Sequence, residues 1–151
     1  MSNESAANAG AAYVYNRIGA SWSQQAYVKA SNTGAGDFFG FSVALSGDGS
    51  ALAVGAQLED SSGTGIDGTS DELTVDSGAV YFYMRTAGTW SQRAYVKAPN
   101  PEFQDKFGTS VALSGDGNTL AVGAQLEDGS SIGIGGTPNN SATDAGAVYL
   151  Y

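Results

Sequence analysis

The residues best suited to chemistry are carboxylates, and the densest run of them lies between Gln57 and Ser77: Glu59, Asp60, Asp67, Asp71, Glu72 and Asp76. Such a run of hard oxygen donors suits a cation like calcium, which takes six to eight oxygens. The sequence-based expectation is a calcium site formed by Glu59, Asp60, Asp67, Asp71 and Asp76. The competing reading is that the acids solvate a long loop, with Asp76 and Asp144 making Asx turns near glycine. A later, similar stretch keeps Glu127, Asp128 and Asp144 but has Gly135, Asn139 and Asn140 at the places of Asp67, Asp71 and Glu72. That favours the first stretch as the cation site.

Neighbouring acids such as Glu59-Asp60 and Glu127-Asp128 also invite a glycosidase reading, in which two carboxyl groups flank a scissile bond. Adjacent residues on a strand point to opposite sides, so neither pair can do this alone. The chain has no histidine and no cysteine. Zinc sites of the usual kind, thiol nucleophiles and imidazole bases are therefore excluded, and the Ser46-Gly47-Asp48-Gly49 and Ser114-Gly115-Asp116-Gly117 segments match no nucleophile motif. Trp22 and Trp90, with Tyr27 and Tyr95, offer flat faces on which a sugar could stack. Their recurrence along the chain argues for packing between elements instead. No catalytic residue is assigned, and a non-enzymatic protein is expected.

Charge narrows the partners. Six basic against fifteen acidic side chains give a net charge of -9 and a pI near 4.1. Such a chain repels nucleic acid and anionic membrane surfaces. Its apolar runs are far shorter than a membrane helix requires, and MSNESAANAG at the start lacks the basic and apolar regions of a signal peptide.

The elements that must position these residues come in copies. WSQQAYVKA from Trp22 returns as WSQRAYVKA from Trp90, FGFSVALSGDG from Phe39 as FGTSVALSGDG from Phe107, LAVGAQLED from Leu52 again from Leu120, and GAVYFY from Gly78 as GAVYLY from Gly146. The offset is 68 residues throughout, so 16–83 and 84–151 form two units after an N-terminal segment 1–15. A fixed period of this size marks a repeat architecture. With 22 glycines and no long amphipathic run, the chain is all-β.

Each unit reads as four antiparallel strands. Strand one spans 42–46, the Gly47-Asp48-Gly49 turn leads to strand two at 51–56, strand three spans 78–84 and strand four 90–98. Ala51-Leu52-Ala53-Val54 and Ala79-Val80-Tyr81-Phe82 are apolar on both faces, so these sheets need cover on both sides. Blades of a β-propeller meet that need, with a sandwich or a solenoid as less fitting alternatives. Phe39 and Phe107, each before glycine, are expected to plug the core.

Phe39-Gly40 followed by Gly55-Ala56, and Phe107-Gly108 followed by Gly123-Ala124, resemble the FG-GAP repeats of integrin α-chain propellers. The chain is still more similar to bacterial FG-GAP proteins, which carry GAVYVF-like and WSQQAY-like strands and a Glu-Asp-Ser loop. The resemblance implies an extracellular or cell-surface propeller serving adhesion and recognition of proteins or glycans. Two departures stand out. Gln57 and Gln125 replace the final proline of the family name, and the turns at Asp48 and Asp116 keep one carboxylate of the integrin-type calcium loop.

Propellers close with four to eight blades, and two units fall short. Segment 11–15 adds a further copy of strand three, giving the order 3-4-1-2-3-4-1-2-3. A complete blade is expected from 39–98, flanked by a 3-4 hairpin and a 1-2-3 meander. The chain thus reads as a fragment of a longer propeller, or a design derived from one, whose ring is completed by oligomerisation. Burying about 500 Å² of apolar area at each contact is worth on the order of 12 kcal/mol. The association cost is about 4 to 15 kcal/mol, so one contact is near break-even and ring closure tips the balance. A head-to-tail trimer or tetramer, with six or eight blades, is expected. One copy of strand three, 11–15 or 147–151, is surplus.

Overall fold

The computed structural model describes residues 6–151. Its strands are β1 (Ala12–Ile18), β2 (Ser21–Val28), β3 (Ser42–Leu45), β4 (Ala51–Ala56), β5 (Ala79–Thr86), β6 (Thr89–Val96), β7 (Phe107–Leu113), β8 (Leu120–Ala124) and β9 (Ala147–Leu150). They form three antiparallel sheets, ordered β1-β2, β3-β4-β5-β6 and β7-β8-β9. These are the anticipated hairpin, complete blade and meander. At the β5–β6 turn, β5 runs past its expected end at 84 and β6 begins one residue before 90, though β6 stops at Val96 short of 98, because the turn is only Ala87-Gly88, with φ of 49° and 84°. Two successive positive φ values match the twist of the flanking strands and let pairing continue to Thr86 and Thr89.

The turn between β3 and β4 is built by side chains as much as by backbone. The Gly49 N–H donates to the Ser46 carbonyl at 2.9 Å. Asp48 accepts from the Ser46 hydroxyl at 2.7 Å and from the Ser50 N–H at 2.9 Å. These bonds, that from Ser46 foremost, hold the Asp48 carboxyl down at about 2. Asp116 is lowered in the same way by Ser114 and Asn118. The single acid of each turn is thus engaged in closing it.

Register places the apolar residues in two layers. Val43 faces Val54, Val54 faces Tyr81, and Tyr81 faces Tyr95, so these side chains share the face of the middle blade turned to the hairpin. Ala44, Ala53, Phe82 and Ala94 line up on the opposite face. The first face forms a core with Ala12, Val14, Val28, Ala30 and Phe39. The second forms one with Phe107, Leu120, Val122 and Ala124. Apolar strands on both faces of one sheet are thereby covered by sheets on either side.

Phe39 and Phe107 are 2% and 0% exposed and plug the two layers. Each begins a blade and pairs in parallel with a glycine of the preceding one, Phe39 with Gly10 and Phe107 with Gly78. Gly78 has φ of 82°, and a Cβ there would sit 2.1 Å from the Phe107 carbonyl oxygen, so only glycine permits this approach.

Candidate functional site

The loop from β4 to β5 is ordered by its own acids, working through different partners. Glu59, 1% exposed, meets the Lys97 ammonium at 2.9 Å; Lys97 is itself 0% exposed. Among the described residues this is the one ion pair. Glu59 also accepts from Asn32 Nδ2 at 2.8 Å, from the Ser61 N–H at 3.1 Å and from the Ser61 hydroxyl. Lys97 donates a second bond to the Ser77 hydroxyl at 2.7 Å. Burial opposes the charge on Glu59, but Lys97 and Ser61 outweigh it and hold the carboxyl below its ordinary value. Burial pulls the Lys97 ammonium below its ordinary value, with Glu59 restoring part of it.

Asn32 links this pair to the tyrosine layer, because its side-chain oxygen accepts from the Tyr81 hydroxyl at 2.5 Å. The Tyr95 hydroxyl is buried and has no hydrogen-bond partner among the described residues. Burial keeps both phenols protonated well beyond the usual range.

The remaining acids are spread along the loop. Asp60 accepts from the Asp76 N–H at 2.7 Å. Asp67, at φ of 54°, accepts from the Tyr95 N–H at 2.9 Å and fastens the loop to the outer edge of β6. Asp71 accepts from the N–H and hydroxyl of Ser62 at 2.7 and 2.8 Å. Asp76, at φ of 56°, lies 3.5 Å from the Gln104 side-chain nitrogen. Glu72 is raised above its ordinary value by partial burial and by the surrounding acids, Asp37 first. Among the described residues, no three acids stand together closely enough to hold a metal ion. Glu59 and Asp60 serve different partners, the Ser61 N–H and the Asp76 N–H.

The second unit repeats part of this network. Glu127, 3% exposed, accepts from Asn100 at 2.9 Å and from the Gly129 N–H at 2.8 Å. Tyr149 donates to Asn100 at 3.0 Å, as Tyr81 does to Asn32. Asp128 accepts from the Asp144 N–H at 2.7 Å, as Asp60 does from Asp76.

Of the aromatic candidates, Trp90 is half-buried between sheets, donating its indole N–H to Gln25 at 2.9 Å under the Arg85 guanidinium. Tyr95 is buried, whereas Trp22 and Tyr27 are 67% and 57% exposed. The difference follows from position: among the described residues, no sheet lies against the outer face of the hairpin that carries Trp22 and Tyr27.

A family model for the FG-GAP repeat matches residues 22–83 and again 90–151, inside the two units that self-comparison defines, each match running from the fourth strand of one sheet to the third strand of the next. The chain belongs to the FG-GAP repeat family. A comparison with curated proteins found no match. Tandem FG-GAP repeats folded as stacked antiparallel sheets make this a propeller-type structural or recognition scaffold, from a family that is generally non-enzymatic and typically extracellular. No helix among the described residues is long and apolar enough to cross a membrane.

Sequence reasoning missed the most buried charge in this FG-GAP chain, Lys97. A signal was present: the protein has three lysines, and two of them, Lys29 and Lys97, sit between Val and Ala in the repeated Ala-Tyr-Val-Lys-Ala segment. Asn32 and Asn100, which recur at the same offset, carried a similar signal.

Proposed function

We propose that this 151-residue chain is a non-catalytic scaffold that associates head to tail with copies of itself, completing a propeller ring that presents its loops to extracellular proteins or glycans. The supporting observation is that each terminal sheet face duplicates an internal one that is already buried. Tyr13, Tyr15 and Tyr27 are 56%, 53% and 57% exposed, while their equivalents Tyr81, Tyr83 and Tyr95 are at most 5% exposed against the hairpin. At the other end, Val148 and Leu150 are exposed, while the equivalent Val80 is buried and Phe82 packs in the second layer.

The outer face of β7-β8-β9 also carries an open groove of about 360 Å³ lined by Ser110, Gly123, Ala147 and Val148. The corresponding place on the middle blade is filled. Gly55 lies against the backbone of Gly108 there, and the Ser42 hydroxyl donates to the Gly108 carbonyl at 2.7 Å. A second copy presenting Phe39-Gly40 would reproduce this contact at Gly123 and Ser110. The interface is heterologous, so a closing angle gives a ring.

Light scattering during size-exclusion chromatography tests the proposal. A mass of three or four chains supports it, with a trimer giving six blades and a tetramer eight. A monomer mass at every concentration up to the millimolar range overturns it.

A further inference from the structure

We infer that the seam between successive copies is a composite blade, in which β2 of the following copy becomes the fourth strand beside β7-β8 and places its Lys29 on the buried Glu127. This rests on the head-to-tail reading above and specifies its chemistry.

Each end of the chain holds half of a pair that the middle blade holds whole. Lys97 stands one residue beyond β6, the fourth strand of its blade, and reaches back to Glu59 in the loop after the second strand. The β7-β8-β9 sheet has the second strand and the acid but no fourth strand. Glu127 therefore lies buried with two neutral donors, Asn100 and Gly129, and no cation among the described residues within salt-bridge distance. The hairpin has the fourth strand and the lysine but, among the described residues, no second strand. Lys29, one residue beyond β2 as Lys97 is beyond β6, donates to the carbonyl of Gly10 in place of a carboxylate. The offset that relates Lys29 to Lys97 also relates Glu59 to Glu127. A buried carboxylate without a counter-charge is costly, so the arriving ammonium has a strong electrostatic reason to settle there.

The third place in the composite blade has two claimants, β1 of the following copy and β9. β1 is joined to β2 by a tight turn and seven paired residues, and Gly10 is bridged to Phe39. β9 pairs with β8 over four residues. The sequences Gly10-Ala11-Ala12-Tyr13-Val14-Tyr15 and Gly146-Ala147-Val148-Tyr149-Leu150-Tyr151 place tyrosines identically, so β1 brings with it the side chains that β9 withdraws from Phe107 and Asn100. β9 is the strand that yields.

Charge reversal on the full chain tests the pair. Lys29→Glu and Glu127→Lys each set like charges at every seam, and each should raise the dissociation constant for assembly at least 100-fold. The double variant Lys29→Glu/Glu127→Lys should return to within about tenfold of the original. Mixing the two single variants in equal amounts should also restore assembly of a tetramer, because every seam of an alternating four-membered ring joins opposite charges, whereas a three-membered ring keeps one like-charged seam and should be rescued by the double variant alone. Damage to the separate chains would not be repaired by mixing, and Lys29, only half-buried, can be reversed without disturbing the core. Assembly of both single variants as tightly as the original overturns the pair while leaving head-to-tail association intact. Failure of the mixture when the original is a tetramer, or of the double variant when it is a trimer, overturns it as well. A monomeric original chain overturns the association itself.

Discussion

The Tyr81 hydroxyl, at the centre of the middle blade, donates to the Asn32 side-chain oxygen at 2.5 Å, while the amide nitrogen of the same asparagine donates to Glu59. One side chain from the linker after the hairpin thus satisfies a buried phenol and a buried carboxylate together. Replacement by Asp would set a second acid beside Glu59. We expect Asn32→Asp to destabilise the chain more than Asn32→Ala at neutral pH, with the order narrowing below about pH 4 as carboxyl groups protonate. Urea unfolding at pH 7 and pH 3.5 measures both.

Breaking the buried ion pair from one side should be severe. Lys97→Met leaves Glu59 charged and enclosed, at a cost of about 3 to 5 kcal/mol. Lys97→Met with Glu59→Gln removes both charges and should recover more than half of that loss. Equal destabilisation by the single and double variants would show that lost shape, not uncompensated charge, is responsible. Glu59 has a lowered carboxyl in the folded chain, so its contribution is present above its ordinary range and fades as pH falls through the folded value.

Asp105 has the opposite sign. It is buried, and desolvation, reinforced by Glu127 and other nearby acids against the Glu102 N–H bond, pushes its carboxyl up to about 6. A raised value means that the folded chain binds this proton more tightly than the unfolded chain does. Its contribution is full below the unfolded value near 4 and is lost as pH rises through about 6. Asp105→Asn keeps an oxygen for the Glu102 N–H, at 2.8 Å in the parent. Relative to the parent, this variant should gain stability steadily from pH 4 to pH 7, as read from denaturant midpoints.

Two glycines with similar backbone angles should respond very differently to alanine. Gly88, φ of 84°, has open space where a Cβ would go, so Gly88→Ala should cost about 1 to 2 kcal/mol. Gly78, φ of 82°, adds a collision with the Phe107 carbonyl. Gly78→Ala should cost at least about 3 kcal/mol and separate the second and third sheets, seen as lost amide protection in β7.

Phe107→Ala should cost about 3 to 5 kcal/mol, since the ring is fully buried and meets Tyr149 and Tyr151 at centroid distances of 5.6 and 6.2 Å. Thermal or urea unfolding reads the loss directly.

The blades were legible because their cues are local. Ala51–Ala56 was bounded correctly by its apolar run and the preceding Gly-Asp-Gly turn, and the repeat offset carried that assignment to β8. The role of Glu59 was not legible, since its partners Asn32, Ser61 and Lys97 lie at unrelated spacings and converge only once three segments pack. Asp67 was equally opaque: its partner is a backbone N–H on β6, and no side-chain pattern announces a backbone donor. Trp22 and Trp90 read alike in sequence yet differ in exposure, because burial depends on which blade precedes each of them.

The pairing of Ile66 with Val96 lays a stretch of the acidic loop along the outermost strand of the complete blade. Backbone groups that would otherwise invite a stray strand are occupied there, and the nearby Asp67 adds negative charge. Amyloid-like growth finds no template at that end of the outermost strand.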